Sequence, residues 1–203
     1  MSLTSSNTDW AALGAAIRER RRSRGLTLVE LAGLVELSQP FLSQIENGRA
    51  RPSMESLYRI AHALGTTPQA LFGGVSDNAH APSLARGIDA PTLPADDRTG
   101  SVCHLLLAGD APLHVLEYDG LPTEFRDYWD HDGFEAAYVI HGTIELDLDG
   151  TVTVLGPGDL LSYPARTPHR LRAVGRARPR VLLIETASEL GAAARALTVH
   201  RTV

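Results

Sequence analysis

Lysine is absent from the 203 residues, and all 19 basic side chains are arginine. That bias reflects a GC-rich genome more than a mechanism. Cysteine occurs once, at Cys103, which excludes an internal disulfide framework and agrees with a cytosolic chain. The lone thiol reads as a small buried hydrophobe. No apolar run approaches the roughly 20 residues of a membrane helix; purely aliphatic stretches are no longer than "LLLA" at 105–108. The opening "MSLTSSNTDW" has neither the basic start nor the apolar stretch of a signal peptide. The expected location is therefore the cytoplasm, with no membrane partner. Internal repeats and low-complexity tracts are also missing.

What is present is an ordinary globular composition, 43% hydrophobic, long enough for one large or two modest domains. The charge is unevenly spread. Residues 1–73 carry 8 arginines against 6 acidic residues, a balance of +2, whereas 74–203 carry 11 against 18, a balance of −7. The two halves are expected to meet different partners.

From Trp10 to Phe72 apolar residues recur at helical spacing, with start signals at Thr27 (Glu30 three residues on), Ser38, Ser53 and Thr67, and stop signals at Gly25, Gly48 and Gly65. This predicts five short helices in a compact all-α unit, residues 1–73. Residues 74–99 are rich in Gly, Pro, Ala and Asp and read as a linker and lead-in. From 100 to 187 the period changes to two or to short apolar runs broken by Gly, Pro and Asp, as in "LHVLEYDG", "TIELDLDG" and "RVLLIET". Such a pattern predicts an all-β antiparallel sandwich or barrel. Residues 188–203 form a tail that Ser188 could open as a short helix.

The stretch "LTLVELAGLVELSQPFLSQIENGRARPS", residues 26–53, contains two helices that must cross closely, with Leu31, Ala32, Val35, Leu37, Leu42 and Ile45 as their apolar contacts. The second helix leaves polar side chains between its apolar ones, and glutamine or asparagine amides pair bidentately with adenine edges in the major groove. The stretch resembles the helix-turn-helix of the Cro/C1-type (XRE) regulators, over roughly residues 10–72. The resemblance implies duplex DNA as partner. Gln39, Ser43 and Gln44 are then the base readers, with Ser38 and Pro40 at the same helix start. Asn47, Arg49 and Arg51 become positioning contacts to phosphate, joined by Thr27 at the start of the preceding helix. In this family a glutamate at the position of Glu46 commonly pairs with an arginine of the first helix, which assigns Arg18 or a neighbour in "RERRRSR" to structure. The family's usual turn glycine is replaced here by Glu36. With so small a positive charge, tight binding calls for a homodimer whose reading helices lie about 34 Å apart.

Further on, "WDHDGFEAAYVIHG" (129–142) sets His131, Glu135 and Gly142 at fixed spacing, and "GDLLSYPARTPH" (158–169) does the same for Gly158, Pro164 and His169. In that order the two stretches resemble the paired motifs of the cupins, over about residues 100–187. The resemblance implies a double-stranded β-helix, or jelly roll, whose interior ligand set is three histidines and a glutamate. His131, Glu135 and His169 match that set. Trp129 stands where the remaining histidine is usual, Arg166 at a usual glycine and Ala173 at a usual asparagine. Two histidines and a carboxylate remain adequate for one divalent ion, Zn, Ni, Mn or Fe. A metal-free pocket for a small-molecule effector and a purely structural cluster are the other two readings. Tyr128 and Trp129 are placed at the pocket mouth, and His104, His114 and His141 are read as structural or exposed.

Together these features describe a two-domain, cytoplasmic transcription regulator. Its helical half reads an operator, and its cupin half senses a small effector and supports dimerisation. It is not an enzyme on this reading. A metal-dependent cupin enzyme fused to a DNA-binding domain is the alternative, weakened because no further acid or base stands at a defined spacing. A toxin-neutralising partner protein is the third class.

Overall fold

A computed structural model of the chain describes residues 10–72, 84–86, 90–96, 98–108 and 113–186. Five helices come first: α1 (Trp10–Ser23), α2 (Leu28–Leu34), α3 (Gln39–Glu46), α4 (Met54–Ala63) and α5 (Pro68–Phe72). Their starts follow local chemistry. Thr27 and Glu30 close a full capping box on α2, and the side chains of Ser38 and Ser53 accept from the backbone of Phe41 and Ser56, satisfying N–H groups that a first turn leaves free.

The apolar faces of these helices meet in one core in which Ile17, Leu31, Val35, Leu42, Leu57 and Ile60 are wholly buried. Each such side chain contributes about 1.5–3 kcal/mol. Helices α1 and α3 pass so closely that a Cβ at Gly14 would lie 2.4 Å from the Ile45 carbonyl oxygen, so only glycine fits there. Between α2 and α3, Glu36 adopts φ 54°. The turn thus keeps its left-handed residue without glycine, at a cost of about 1–2 kcal/mol.

Nine strands follow: β1 (Thr92–Pro94), β2 (Val102–Leu107), β3 (Leu113–Asp119), β4 (Phe134–His141), β5 (Thr143–Leu148), β6 (Thr151–Leu155), β7 (Leu160–Pro164), β8 (His169–Val174) and β9 (Arg180–Thr186). They form a six-stranded sheet in the order β1-β2-β3-β9-β4-β7 and a three-stranded sheet in the order β6-β5-β8, all pairs antiparallel. This is the expected cupin architecture. One strand lies in the stretch read as linker and lead-in, since β1 pairs with β2 from Thr92 to Pro94; three residues are too few to leave a period in the sequence. The suggested C-terminal helix from Ser188 lies outside the described residues.

The chain switches sheets at Gly142, between β4 and β5, with φ 76° and its Cβ position 2.8 Å from Pro179. Inside the barrel the alternation of β3, β4 and β9 turns Leu116, Val139, Val181 and Leu183 inward. At one end the same alternation turns polar groups inward. His114, Glu185, Glu135 and Tyr163 are successive register partners across β3, β9, β4 and β7, and all four are buried.

Candidate functional site

The helical surface is organised around a buried ion pair. Two of the three Arg21 guanidinium nitrogens reach Glu46, Nε to Oε1 at 2.6 Å and Nη2 to Oε2 at 3.0 Å, and Arg18 adds a contact at 3.3 Å. The structural arginine of "RERRRSR" is chiefly Arg21, and the pair locks the end of α3 to α1. With that helix held, Ser38, Gln39, Pro40, Gln44, Asn47, Arg49 and Arg51 are exposed and Ser43 is half-buried.

Asn47 and Arg51, and Thr27 at the start of α2, are also engaged within the head. Asn47 donates to the Ser43 carbonyl and accepts from Arg18. Arg51 lies 4.9 Å over the Trp10 ring. The Thr27 hydroxyl donates to Glu30 at 2.7 Å. Gln39 and Gln44 stand exposed on the first two turns of α3, and Arg49 just past its end.

The barrel site is built from β4, β8 and the loop before β4. Nε2 of His131 and of His169 lie 3.1 and 3.4 Å from the same Glu135 oxygen, Oε2. The other oxygen, Oε1, accepts the Tyr163 hydroxyl at 2.5 Å. On the far side of each imidazole, Nδ1 meets a backbone carbonyl, Asp132 at 3.0 Å and Thr167 at 2.9 Å. A carbonyl can only accept, so Nδ1 carries the proton and Nε2 is the atom turned to the centre. This is the outer-shell arrangement that orients metal-ligating histidines. The three donor groups lie within 4.8 Å of one another, and they fit a divalent cation through two Nε2 atoms and one carboxylate.

The electrostatics follow from burial and proximity. Burial alone would lower His131, but its hydrogen bond to Glu135 and the charges of Glu185 and Glu135 raise it to about 9. His169 is raised for similar reasons. Burial would raise Glu135, but the two histidines bring it down to about 2. Glu185 is raised to about 7 by burial and by the neighbouring Glu135 charge. Without a cation, the cluster is thus an imidazolium–carboxylate set, and a metal would take the place of its Nε2 protons.

Beside the cluster is a cavity of about 110 Å³, bordered by Trp129, Glu135, His169, Leu171 and Leu183 from the barrel and by Tyr58 from α4. That is room for several water molecules or a small organic molecule. Trp129 borders this cavity and bridges by backbone to His169. Tyr128 turns the other way: successive residues of an extended segment point to opposite sides, and its hydroxyl donates to Asp147 at 2.7 Å under the guanidinium of Arg170.

The sequence also missed groups that stand at the site. Glu185, Tyr163 and Tyr58 supply the carboxylate and phenols for which no defined spacing was found. The inward alternation of Val181, Leu183 and Glu185 was a usable signal, since a carboxylate in a strand's apolar row is costly unless it has a role. His114 belongs to the same buried row, not to the surface.

Residues 17–71 match the family model described as helix-turn-helix, and residues 121–185 match the cupin domain model. The chain is 44% identical over 59 residues to the HTH-type transcriptional regulator DdrOP3 of Deinococcus deserti, covering 29% of this chain and 46% of that one. It is 38% identical over 55 residues to the uncharacterized HTH-type transcriptional regulator y4dJ of Sinorhizobium fredii, covering 27% of this chain and 71% of that one. The chain spans about half the length of the curated relatives it matches first. A solved helix-turn-helix family transcriptional regulator from Vibrio cholerae shares the fold with a TM-score of 0.60 at 22% identity, over 88% of this chain and 96% of that one. Among the described residues no helix is long and apolar enough to cross a membrane. The chain belongs to the XRE-type helix-turn-helix family of transcriptional regulators and carries a cupin domain after its DNA-binding head.

Proposed function

We propose that this regulator binds a duplex operator as a homodimer and that occupancy of its barrel site changes its affinity for that operator. The observation that carries the reading is the convergence of two Nε2 atoms on one Glu135 oxygen beside a cavity, in a chain whose other domain exposes Gln39 and Gln44 on a reading helix. His131, Glu135 and His169 would hold a divalent cation, which supplies open coordination positions for a small effector. Base reading falls to Gln39, Ser43 and Gln44, and phosphate contact to Arg49 and Arg51, with Thr27, Ser38, Pro40 and Asn47 shaping the same surface. Dimerisation is supported by the edge strand β6, whose Val152 and Val154 side chains are exposed, an apolar row that a second copy would cover.

The test is an operator selected from a random duplex pool with the full chain, followed by affinity measurements in chelator and in added Zn(II) or Fe(II). Affinity that does not respond to the metal, in protein shown to bind it, sinks the metal-coupled reading. An enzyme reading gains from Glu185 and Tyr163, two proton-holding groups beside the triad. It requires turnover that disappears in His131→Ala, whereas a regulator loses only the metal's effect on DNA.

A further inference from the structure

One wall of the barrel site comes from the DNA-binding head. The Tyr58 hydroxyl, on α4, donates to Glu185 Oε1 at 2.8 Å. Its ring packs against Trp129 with centroids 5.5 Å apart and against His131 at 6.3 Å. Three residues earlier, the Glu55 N–H is one of the donors that a helix's first turn leaves without an internal acceptor; it bonds across the domain boundary to the Ala95 carbonyl at 3.1 Å. Both Glu55 and Tyr58 border the cavity.

On its other faces α4 is fastened to the reading apparatus. Leu57 and Ile60 are buried in the helical core, and Arg59 meets Glu36, the left-handed residue of the turn that aims α3, at 3.5 Å. Whatever moves Tyr58 therefore moves α4 and bears on the placement of α3. Glu185 is the register partner of Glu135, so a cation beside Glu135 draws on the carboxylate that Tyr58 holds. Tyr58 also borders the cavity itself.

We propose that the barrel site is an interdomain site in which Tyr58 is a ligand-facing residue. An occupant at His131, Glu135 and His169 competes with the Tyr58–Glu185 hydrogen bond and loosens α4 from the barrel. The inference rests on the function proposed above and supplies the coupling step: a ligand shifts the placement of the head only by its differential affinity for docked and released forms.

The experiment follows hydrogen exchange of the Glu55 amide by NMR in the full-length protein, with Zn(II) alone as the probe and calorimetry reporting whether zinc binds. Zinc should speed exchange at Glu55 about tenfold, the scale of a hydrogen bond to a charged group. Tyr58→Phe, which keeps the ring and removes the hydroxyl, should show that faster exchange before zinc is added and should bind zinc several-fold more tightly. Glu185→Ala, which removes the acceptor of the same bond, should also speed exchange without zinc. Zinc bound with Glu55 exchange unchanged overturns the interdomain inference and leaves the metal reading standing. No zinc bound, and no change, overturns both. Equal zinc affinity in wild type and Tyr58→Phe overturns the competition.

Discussion

Glu135 and Glu185 are direct register partners on β4 and β9, 2% and 1% exposed, and they hold protons in opposite ways. Glu135, flanked by two histidines, is lowered to about 2, and Glu185 is raised to about 7. The Glu135 contribution to stability is complete above its unfolded value and is lost as pH falls toward 2. The raised Glu185 means that stability declines as pH rises from about 4.5 through 7. His131, raised to about 9, contributes fully below about 6.5 and loses that contribution as pH rises through 9. Chelator-treated protein should therefore melt highest at about pH 5 and roughly 10 °C lower at pH 9, a few kcal/mol. A melting temperature that climbs between pH 6 and 9 would contradict this charge assignment.

The same protons oppose a metal. Protein purified without chelator should contain close to one divalent ion per chain by elemental analysis, and His169→Ala should contain none. Affinity should rise with pH up to about 9 as the Nε2 proton of His131 is removed. A pH-independent affinity would place the ion elsewhere.

Gln44 stands exposed on α3. Gln44→Ala should cost about 1–3 kcal/mol on the selected operator and little on random DNA, read by competition binding. Equal losses on both would remove Gln44 from base reading.

For Arg49→Ala the expectation is reversed. Affinity should weaken on all sequences alike, and the slope of log affinity against log salt should flatten by about one phosphate contact. An unaltered slope excludes that contact.

Glu46→Ala strands the Arg21 guanidinium, 8% exposed, without its bidentate partner. Loss of such a buried partner costs about 3–5 kcal/mol, visible as a lower denaturant midpoint for the helical signal. A shift under about 1 kcal/mol would mean that Arg21 finds water.

How far the sequence reaches can be judged residue by residue. The capping box at Thr27, the serine caps and the alternation of "LHVLEYDG" act over three to five residues, and α2, α3, α4 and β3 lie where that local chemistry placed them. The sequence placed Glu36 at the family's usual turn glycine without deciding its backbone, and the structure shows it left-handed, φ 54°. His131, Glu135 and His169 were legible through the resemblance of their two stretches to the cupin motifs, and the structure brings the three together. β1 was not, since a three-residue strand exists only through its pairing with β2.

Tyr58 and Glu185 lie 127 positions apart in the chain, and no periodicity in either segment points to the other. Local chemistry by itself determined the helices of the first domain and the strands of the second, because those depend on capping and period, while the resemblance of short motifs to two families supplied the helix-turn-helix and the set of His131, Glu135 and His169. Only the tertiary structure decided that Tyr128 turns away while Trp129 faces in, that Glu185 stands beside Glu135, and that α4 of the DNA-binding head reaches the barrel site. Those facts depend on sheet register and on the docking of two domains, which no local rule encodes.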